Sequence, residues 1–188
     1  MCVIIIKPAG IKMPSNKTLR SAYSANRHGC GFASTNHAFK SLDYAEFIDH
    51  ISEVDDSEAC IIHFRLATHG SIKQSNCHPF KKGDIYFAHN GILNVSPKRD
   101  KTDSETAFVD FIYPAIKRYG IDSDETEHVI SRIIGCSKFA IMAAGSHNVK
   151  TYGDFIRQAD GCLYSNLRFR SILHTCKAIL AYDELRNF

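Results

Sequence analysis

The chain has 188 residues, of which 44% are hydrophobic and 23% are charged, and these values are ordinary for a folded globular protein. Its net charge of +3 comes from 23 basic and 20 acidic side chains scattered along the sequence, which argues against a nucleic-acid-binding surface. No apolar stretch approaches the roughly 20 residues that cross a bilayer, and the N-terminus lacks the charged leader of a signal peptide. We therefore expect a cytoplasmic protein with no membrane and no nucleic-acid partner.

The cysteines and histidines argue against a metal site. The chain has seven cysteines, an odd number, and no C-x-x-C pair, whereas zinc sites and disulfide frameworks show paired spacings. The ten histidines form no H-E-x-x-H pair. We expect reduced cysteines, no metal and no cofactor. The cysteines are Cys2, Cys30, Cys60, Cys77, Cys136, Cys162 and Cys176.

Hydrophobic periodicity predicts short strands that alternate with helices. In chain order, we predict a strand over 2–7, a helix over 15–23, a strand over 29–34, a helix from Asp43 to Ile51, strands over 60–65 and 84–89 with a polar loop over 70–83 between them, helices over 104–119 and 126–134, and strands over 138–143, 149–152 and 162–164. Strands that cluster between helical segments favour an α+β domain of antiparallel sheets over a βαβ repeat. No repeat or long linker interrupts the sequence, which predicts one domain over residues 1–188.

The first candidate functional residue is Cys2, directly after Met1. A small residue in this position allows an aminopeptidase to remove the methionine, which would leave Cys2 with both a thiol and a free α-amine. Their ordinary pKa values are about 8.5 and 7.7–8.0, so the amine is suited to accept the thiol proton near neutral pH. Taken alone, its position favours a small apolar residue at the start of a buried strand over a nucleophile, and the rest of the sequence reverses that preference.

Three later segments are rich in residues that can carry chemistry. They are His63-Phe64-Arg65-Leu66-Ala67-Thr68-His69-Gly70, Asn76-Cys77-His78-Pro79-Phe80 and His89-Asn90-Gly91-Ile92-Leu93-Asn94. Each has a structural explanation by itself, since Asn-Gly is a common hairpin turn and an arginine that leaves a strand often pairs with a surface carboxylate. Their occurrence together, downstream of Cys2, favours a catalytic site.

In these segments the chain resembles the class II glutamine amidotransferases, whose glutaminase domain is an N-terminal nucleophile hydrolase. The family pattern has a penultimate cysteine, then H-x-R-x-A-T-x-G, N-x-H-P-F and H-N-G-x-x-x-N, and later an aspartate before a helix, matched here by Asp103. The motifs cover residues 1 to about 110. The resemblance implies a four-layer αββα sandwich, with two antiparallel sheets between helical layers, and release of ammonia from the side-chain amide of glutamine.

The resemblance also implies a role for each matching residue. Cys2 is expected to be the nucleophile and its own amine the base. Asn90, through its side-chain amide, and Gly91, through its backbone N–H, are expected to form the oxyanion hole. Arg65 is expected to hold the substrate α-carboxylate, with Thr68 and His69 beside it, and Asp103 to bind the α-ammonium group.

These residue types suit the chemistry. A tetrahedral intermediate needs preorganised donors, and an Asn-Gly turn can supply two of them. A guanidinium opposite a carboxylate would recognise the two charged groups of an α-amino acid. The sequence departs from the family pattern at His28, where many relatives have an aspartate, although His28 can still contribute a hydrogen bond. We expect His63, His78 and His89 to be structural hydrogen-bonding residues.

Three functional hypotheses follow from the sequence. In the first, the protein releases ammonia for a separate synthase or acceptor protein, because no phosphate-binding loop or second nucleotide-binding pattern is present. In the second, it is a self-sufficient amidohydrolase that cleaves glutamine or another γ-glutamyl compound. In the third, it is a non-catalytic binding module of the same fold. The intact set of candidate site residues argues against the third.

Overall fold

The computed structural model describes residues 2–67, 70–99 and 101–170. Within these residues it contains ten strands in two antiparallel sheets, and five α-helices. The strands are β1 (Val3–Lys7), β2 (Cys30–Ser34), β3 (Ala38–Ser41), β4 (Cys60–Phe64), β5 (Phe80–Lys82), β6 (Ile85–Asn90), β7 (Lys138–Ala143), β8 (Lys150–Tyr152), β9 (Ile156–Arg157) and β10 (Leu163–Tyr164). The helices are α1 (Asn16–Ala25), α2 (Tyr44–Ile51), α3 (Asp103–Ala107), α4 (Tyr113–Tyr119) and α5 (Asp124–Ile134).

The first sheet is built around β1. Its strand order is β3-β2-β4-β1-β10-β9, and the second sheet has the order β5-β6-β7-β8. In the register of the first sheet, Ile5 lies opposite Ile62 of β4 on one side and Tyr164 of β10 on the other. All five residues of β1 are buried, as expected for an apolar run covered on both faces.

The alternation of side chains along β1 defines the layers. Val3 and Ile5 pack in the core that the first sheet forms with α1 and α2, whereas Ile4 and Ile6 pack between the two sheets. A third core joins the second sheet to α3, α4 and α5. The order of layers is therefore helices, sheet, sheet, helices, which confirms the α+β, four-layer αββα prediction. Representative core residues are Leu19 and Phe47 in the first core, Ala88 and Met142 between the sheets, and Phe87, Phe108 and Ile130 in the third.

Polar side chains begin the helices where the sequence predicts them. Asp43 Oδ1 accepts a hydrogen bond from the Ala45 N–H at 2.6 Å, so α2 starts directly after Asp43. The helix predicted over 104–119 is present as α3 and α4, joined by a π-helical turn over Phe108–Ile112. In this turn the Tyr113 N–H bonds to the Phe108 carbonyl rather than to the Val109 carbonyl, and Pro114, at the start of α4, has no N–H to give to the carbonyl of residue 110.

Three strands were not predicted, namely β3, β5 and β9. They have two to four residues, and much of their side-chain surface is exposed, so they lack a clear apolar alternation. The predicted polar loop over 70–83 was wrong in part, because it contains β5 and a 3₁₀ turn over Gln74–Asn76. None of the helices within 2–67, 70–99 and 101–170 is both long and apolar enough to span a membrane.

Candidate active site

The pairing of β1 with β4 places Cys2 beside the His63–Gly70 motif of the sequence. Val3 lies opposite Phe64, so Cys2, just before β1, lies next to Arg65 and Leu66, just after β4. The Leu66 N–H donates to Cys2 Sγ at 3.3 Å, and the thiol lies 3.5 Å from the Leu66 carbonyl oxygen, to which it can donate. Asn166, after β10, donates from Nδ2 to the Cys2 carbonyl at 2.9 Å. Cys2 is therefore held by the segments that follow both neighbouring strands of β1, and its thiol contacts the backbone of Leu66.

The environment of the Cys2 thiol favours its protonated form. Burial raises the pKa of the Cys2 thiol, while the Leu66 hydrogen bond and the charge of Arg65 oppose that increase only in part. A protonated thiol is a weak nucleophile. Any nucleophilic role for Cys2 therefore requires a base close to its sulfur.

The turn after β6 has a shape that only glycine can adopt. Gly91 has φ +150°, and a Cβ atom on it would lie 2.2 Å from Ser137 Oγ and 2.9 Å from Ser137 Cα. Ser137 also donates from Oγ to the Ile92 carbonyl at 3.1 Å. The close packing on Ser137 fixes the course of the backbone through Gly91.

Asn90, the last residue of β6, is 5% exposed. Its Nδ2 donates to Ser165 Oγ at 2.8 Å, and the same hydroxyl accepts the Ile4 N–H at 2.8 Å. The Asn90 Oδ1 is buried and has no hydrogen-bond partner among the described residues. A buried amide with one unpartnered atom is uncommon, and it calls for an explanation.

The two charged candidate residues, Arg65 and Asp103, both line a small cavity. Arg65 is 5% exposed and donates from Nη1 to the Ser71 carbonyl at 3.1 Å. Asp103 is the first residue of α3, where an acidic side chain is favoured by the helix dipole. Its Oδ2 accepts the Leu93 N–H at 3.1 Å, so it also anchors the segment that follows Gly91.

Two cavities meet at Cys2, and we name each after a residue that distinguishes it. The Arg65 cavity has a volume of about 50 Å³, and the Cys136 cavity has about 250 Å³. Both are lined by Cys2, Leu66, Gly91 and Ile92. The Arg65 cavity is also lined by Arg65, Ala67, Asn76, His78, His89, Thr102, Asp103 and Ser104, and the Cys136 cavity by Asn90, Cys136 and Ser137.

The structure thus brings together five of the seven residues that the sequence singled out. Cys2, Arg65, Gly91 and Asp103 line one cavity, and Asn90 lines the cavity next to it. The other two, Thr68 and His69, lie outside the described residues. In the described part of the chain, no group of three or more His, Cys, Asp or Glu side chains is arranged to hold a metal ion.

Three buried histidines support the strand that carries Asn90. His63 Nε2 lies 3.2 Å from the His89 carbonyl oxygen, and His78 Nδ1 accepts the His89 N–H at 3.3 Å. The His89 Nδ1 lies 2.7 Å from Ser104 Oγ, which in turn donates to Asp103. Burial lowers the pKa of all three histidines, to about 3 for His63, to about 4 for His89 and well below the ordinary value for His78. They are neutral hydrogen-bonding residues, as the sequence indicates.

These depressed pKa values predict a loss of stability in mild acid. Because the unfolded chain binds protons at these histidines below about pH 6.5 and the folded chain does not, the free energy of unfolding should decrease as the pH falls from 6.5 toward 4. Each histidine contributes at most about 1.4 kcal/mol per pH unit. Urea unfolding at pH 6.5, 5.8 and 5.0, above the range in which most carboxylates titrate, measures the slope. His63→Gln should reduce it and exposed His128→Gln should not, whereas a stability that is constant across this range would contradict the prediction.

Sequence reasoning missed several residues that shape the site. Ser137, Ser165 and Asn166 contact Ile92, Asn90 and Cys2 respectively. None belongs to a motif, and only their place beside short predicted strands gave any signal: Ser137 precedes the strand over 138–143, and Ser165 and Asn166 follow the strand over 162–164. The hydrogen bond expected of His28 is present, because its Nδ1 accepts the Ala67 N–H at 2.9 Å. His28 therefore positions the backbone that follows Arg65.

Comparison with known proteins agrees with this architecture. Residues 23–149, more than half of the chain, match the family described as class-II glutamine amidotransferases. The chain belongs to that family. A solved structure titled as that of the allosteric regulatory enzyme of purine biosynthesis is similar with a TM-score of 0.55 and 18% sequence identity. The similarity covers 87% of this chain but only 41% of that one, and at this identity it supports the shared fold.

Proposed function

We propose that the protein hydrolyses the side-chain amide of glutamine, with Cys2 as the nucleophile. The observation that carries the proposal is the place of the Cys2 thiol, where the Arg65 cavity meets the turn formed by Asn90 and Gly91. Membership in the class II glutamine amidotransferases supports it. Because Cys2 lies before the matched residues 23–149, the role of the thiol rests on its geometry.

The reaction begins with removal of Met1, which frees the α-amine of Cys2. The amine takes the thiol proton, and the thiolate attacks the amide carbon of glutamine. Asn90 Nδ2 and the Gly91 N–H stabilise the oxyanion that forms. When the intermediate collapses, the protonated amine returns the proton to the leaving nitrogen, and ammonia departs. Water then attacks the resulting thioester, releases glutamate and regenerates the thiol.

The two charged residues of the Arg65 cavity give the site its selectivity for an α-amino acid. Arg65 holds the α-carboxylate through its planar guanidinium, and Asp103 accepts the α-ammonium group. Thr68 and His69 are assigned to the same end of the substrate by their place in the motif. The amide is then directed toward Cys2, at the other end of the glutamine side chain.

Charge-preserving and shape-preserving changes at these residues should weaken glutamine binding. Arg65→Lys and Asp103→Asn should each raise KM about 10- to 100-fold with a smaller change in kcat, because each removes a charge-assisted hydrogen bond to the bound substrate. Steady-state kinetics with L-glutamine measures both constants. A decrease in kcat at unchanged KM would mean that these residues do not hold the substrate ends.

Covalent labelling tests the assignment of the nucleophile. A glutamine analogue with an electrophilic diazoketone in place of its amide should alkylate Cys2 once, and L-glutamine should slow the reaction. Cys136→Ser is the matched control, because Cys136 is an exposed free thiol that lines the neighbouring cavity. Peptide mass mapping that finds the label on Cys136, or labelling that glutamine does not slow, would contradict the proposal.

A second candidate function is hydrolysis of a γ-glutamyl amide larger than glutamine. The Cys136 cavity favours it, because about 250 Å³ of space lined by Leu66, Ile92 and Cys136 adjoins the thiol and exceeds what a leaving ammonia needs. An engineered cavity of about 150 Å³ already binds benzene. Relative kcat/KM for γ-glutamyl anilides and glutamine decides between the two substrates, since only a γ-glutamyl amidohydrolase should prefer the anilide.

The fate of the ammonia and the extent of the domain are part of the same proposal. We assign residues 1–188 to one glutaminase domain and any ammonia acceptor to a separate synthase. If a synthase is required, glutamine turnover by the isolated protein should be slow and should increase when that partner is added.

A further inference from the structure

The residue beyond the recognised motifs that has the most direct contact with the proposed oxyanion hole is Ser165. Its side chain is fully buried directly after β10, and its Oγ contacts both Asn90 and the start of β1. The Ser165 N–H donates to the Ile4 carbonyl at 2.9 Å, and the Lys138 ammonium donates to the Ser165 carbonyl. Hydrogen bonds to both the N–H and the carbonyl of Ser165 therefore fix the backbone from which its hydroxyl contacts Asn90.

The hydrogen bonds around Asn90 are incomplete in one orientation of its amide. With Nδ2 toward Ser165, the Ser165 Oγ is the acceptor in both of its contacts, and no described residue accepts the hydroxyl proton. The Asn90 Oδ1 is at the same time buried and unpartnered. Two polar groups thus lack partners, although they belong to neighbouring side chains.

Turning the amide by 180° exchanges Asn90 Nδ2 and Oδ1 and requires no other movement. The Ser165 hydroxyl then donates to Oδ1 and still accepts the Ile4 N–H. The group left without a partner is now Nδ2, a buried donor of a residue that lines the Cys136 cavity together with Cys2. A buried donor without a partner in the resting protein is what a developing oxyanion requires.

We propose that Ser165 is the positioning residue of the oxyanion hole, because its hydroxyl donates to Asn90 Oδ1 and holds Nδ2 toward the reacting carbonyl. The proposal rests on the proposed amide hydrolysis. Ser165 does not touch the substrate, and it acts through the orientation of Asn90. Ser165 therefore affects the step in which the oxyanion forms. It does not affect the reactivity of the Cys2 thiol or the binding of the substrate by Arg65 and Asp103.

Kinetics of Ser165→Ala separate this role from a structural one. We expect kcat for glutamine to fall about 10- to 100-fold, with KM changed less than about threefold. This decrease in kcat should not exceed the decrease that removal of an oxyanion donor itself causes. Alkylation of Cys2 by iodoacetamide forms no oxyanion, so its rate should stay at the wild-type value. The matched control is Ser34→Ala, which removes another buried hydroxyl of the first sheet, one that donates to Glu58 at 2.7 Å. It should leave kcat unchanged.

A double-mutant cycle gives the second arm of the test. If Ser165 acts only through Asn90, the double variant Ser165→Ala, Asn90→Ala should have the same kcat as Asn90→Ala alone. Multiplied losses in the double variant would overturn the proposal. So would a wild-type kcat in Ser165→Ala, or equal losses in kcat and in the alkylation rate.

A spectroscopic readout keeps this test separate from failure of the proposed function. The side-chain amide signals of Asn90 are identified in ¹⁵N NMR spectra by their loss in Asn90→Ala, and they should shift in Ser165→Ala but not in Ser34→Ala. This comparison needs no turnover. If the wild-type protein hydrolyses no glutamine yet the Asn90 signals shift, the proposed function fails while the positioning contact stands. Unchanged Asn90 signals would refute the contact itself.

Discussion

Replacement of Cys2 by alanine is expected to abolish glutamine hydrolysis, with a decrease in kcat of about 10⁴-fold or more, as for other nucleophiles that form covalent intermediates. The reason is that no other described thiol lines the Arg65 cavity, which holds the candidate substrate-binding charges. The Cys2 residue is partly exposed to solvent, and its thiol makes two hydrogen bonds, both to the Leu66 backbone. We therefore expect the loss of activity without a large loss of stability. Glutamate release measures the first and thermal unfolding the second.

The exposed thiol Cys136 provides the control for this substitution. Cys136→Ala removes a sulfur from the neighbouring cavity but leaves Cys2 and the Asn90–Gly91 turn in place. Should Cys2→Ala retain near-wild-type turnover while Cys136→Ala loses it, the nucleophile has been assigned to the wrong residue.

The second large effect is expected at Gly91. In Gly91→Ala, the new Cβ would lie 2.2 Å from Ser137 Oγ and 2.9 Å from Ser137 Cα. Because the contact includes backbone, the turn must move, and with it the Gly91 N–H that the proposed mechanism uses. We expect kcat to fall about 10²–10³-fold, the usual cost of losing one oxyanion donor, and stability to fall as well. Circular dichroism and glutamine kinetics measure the two effects.

Gly145 provides a control that separates the effect of backbone strain from the effect of moving the Gly91 N–H. Gly145 also has a positive φ, +78°, but a Cβ atom on it would meet nothing within 4 Å. Gly145→Ala should therefore cost only the backbone strain, about 1–3 kcal/mol of stability, with kcat unchanged. Equal kcat values for the two alanine variants would contradict the role of the Gly91 turn.

The sequence predicted the main elements of the fold because their signals are local. The buried run of β1, the Asp43 cap of α2 and the apolar run of β7 each depend on residues within one short segment. The edge strands β3, β5 and β9 depend on pairing with a neighbouring strand rather than on their own composition, so they were not predicted. The π-helical turn before α4, next to Pro114, was not predicted either, because the apolar spacing over 104–119 fits one continuous helix.

In the candidate site, too, the residues that belong to local sequence patterns were predicted, and the residues that act through long-range contacts were not. Arg65, Asn90, Gly91 and Asp103 were recognised because each belongs to a short motif. Ser165 was not, because its contact to Ile4 joins residues 161 positions apart and depends on the register of β1 against β10. The steric role of Ser137 against Gly91 likewise arises from a contact between separate segments. Supporting residues of this kind become visible only when the sheets are assembled.

The role of the Cys2 α-amine is tested most directly by glutamine hydrolysis with two forms of the same protein, one with Met1 removed and one that retains it, each verified by intact mass. The proposed mechanism predicts release of equal amounts of glutamate and ammonia by the form that begins with Cys2, and none by the form in which the Cys2 nitrogen remains an amide. Equal turnover by both forms would contradict the claim that the α-amine of Cys2 is the base.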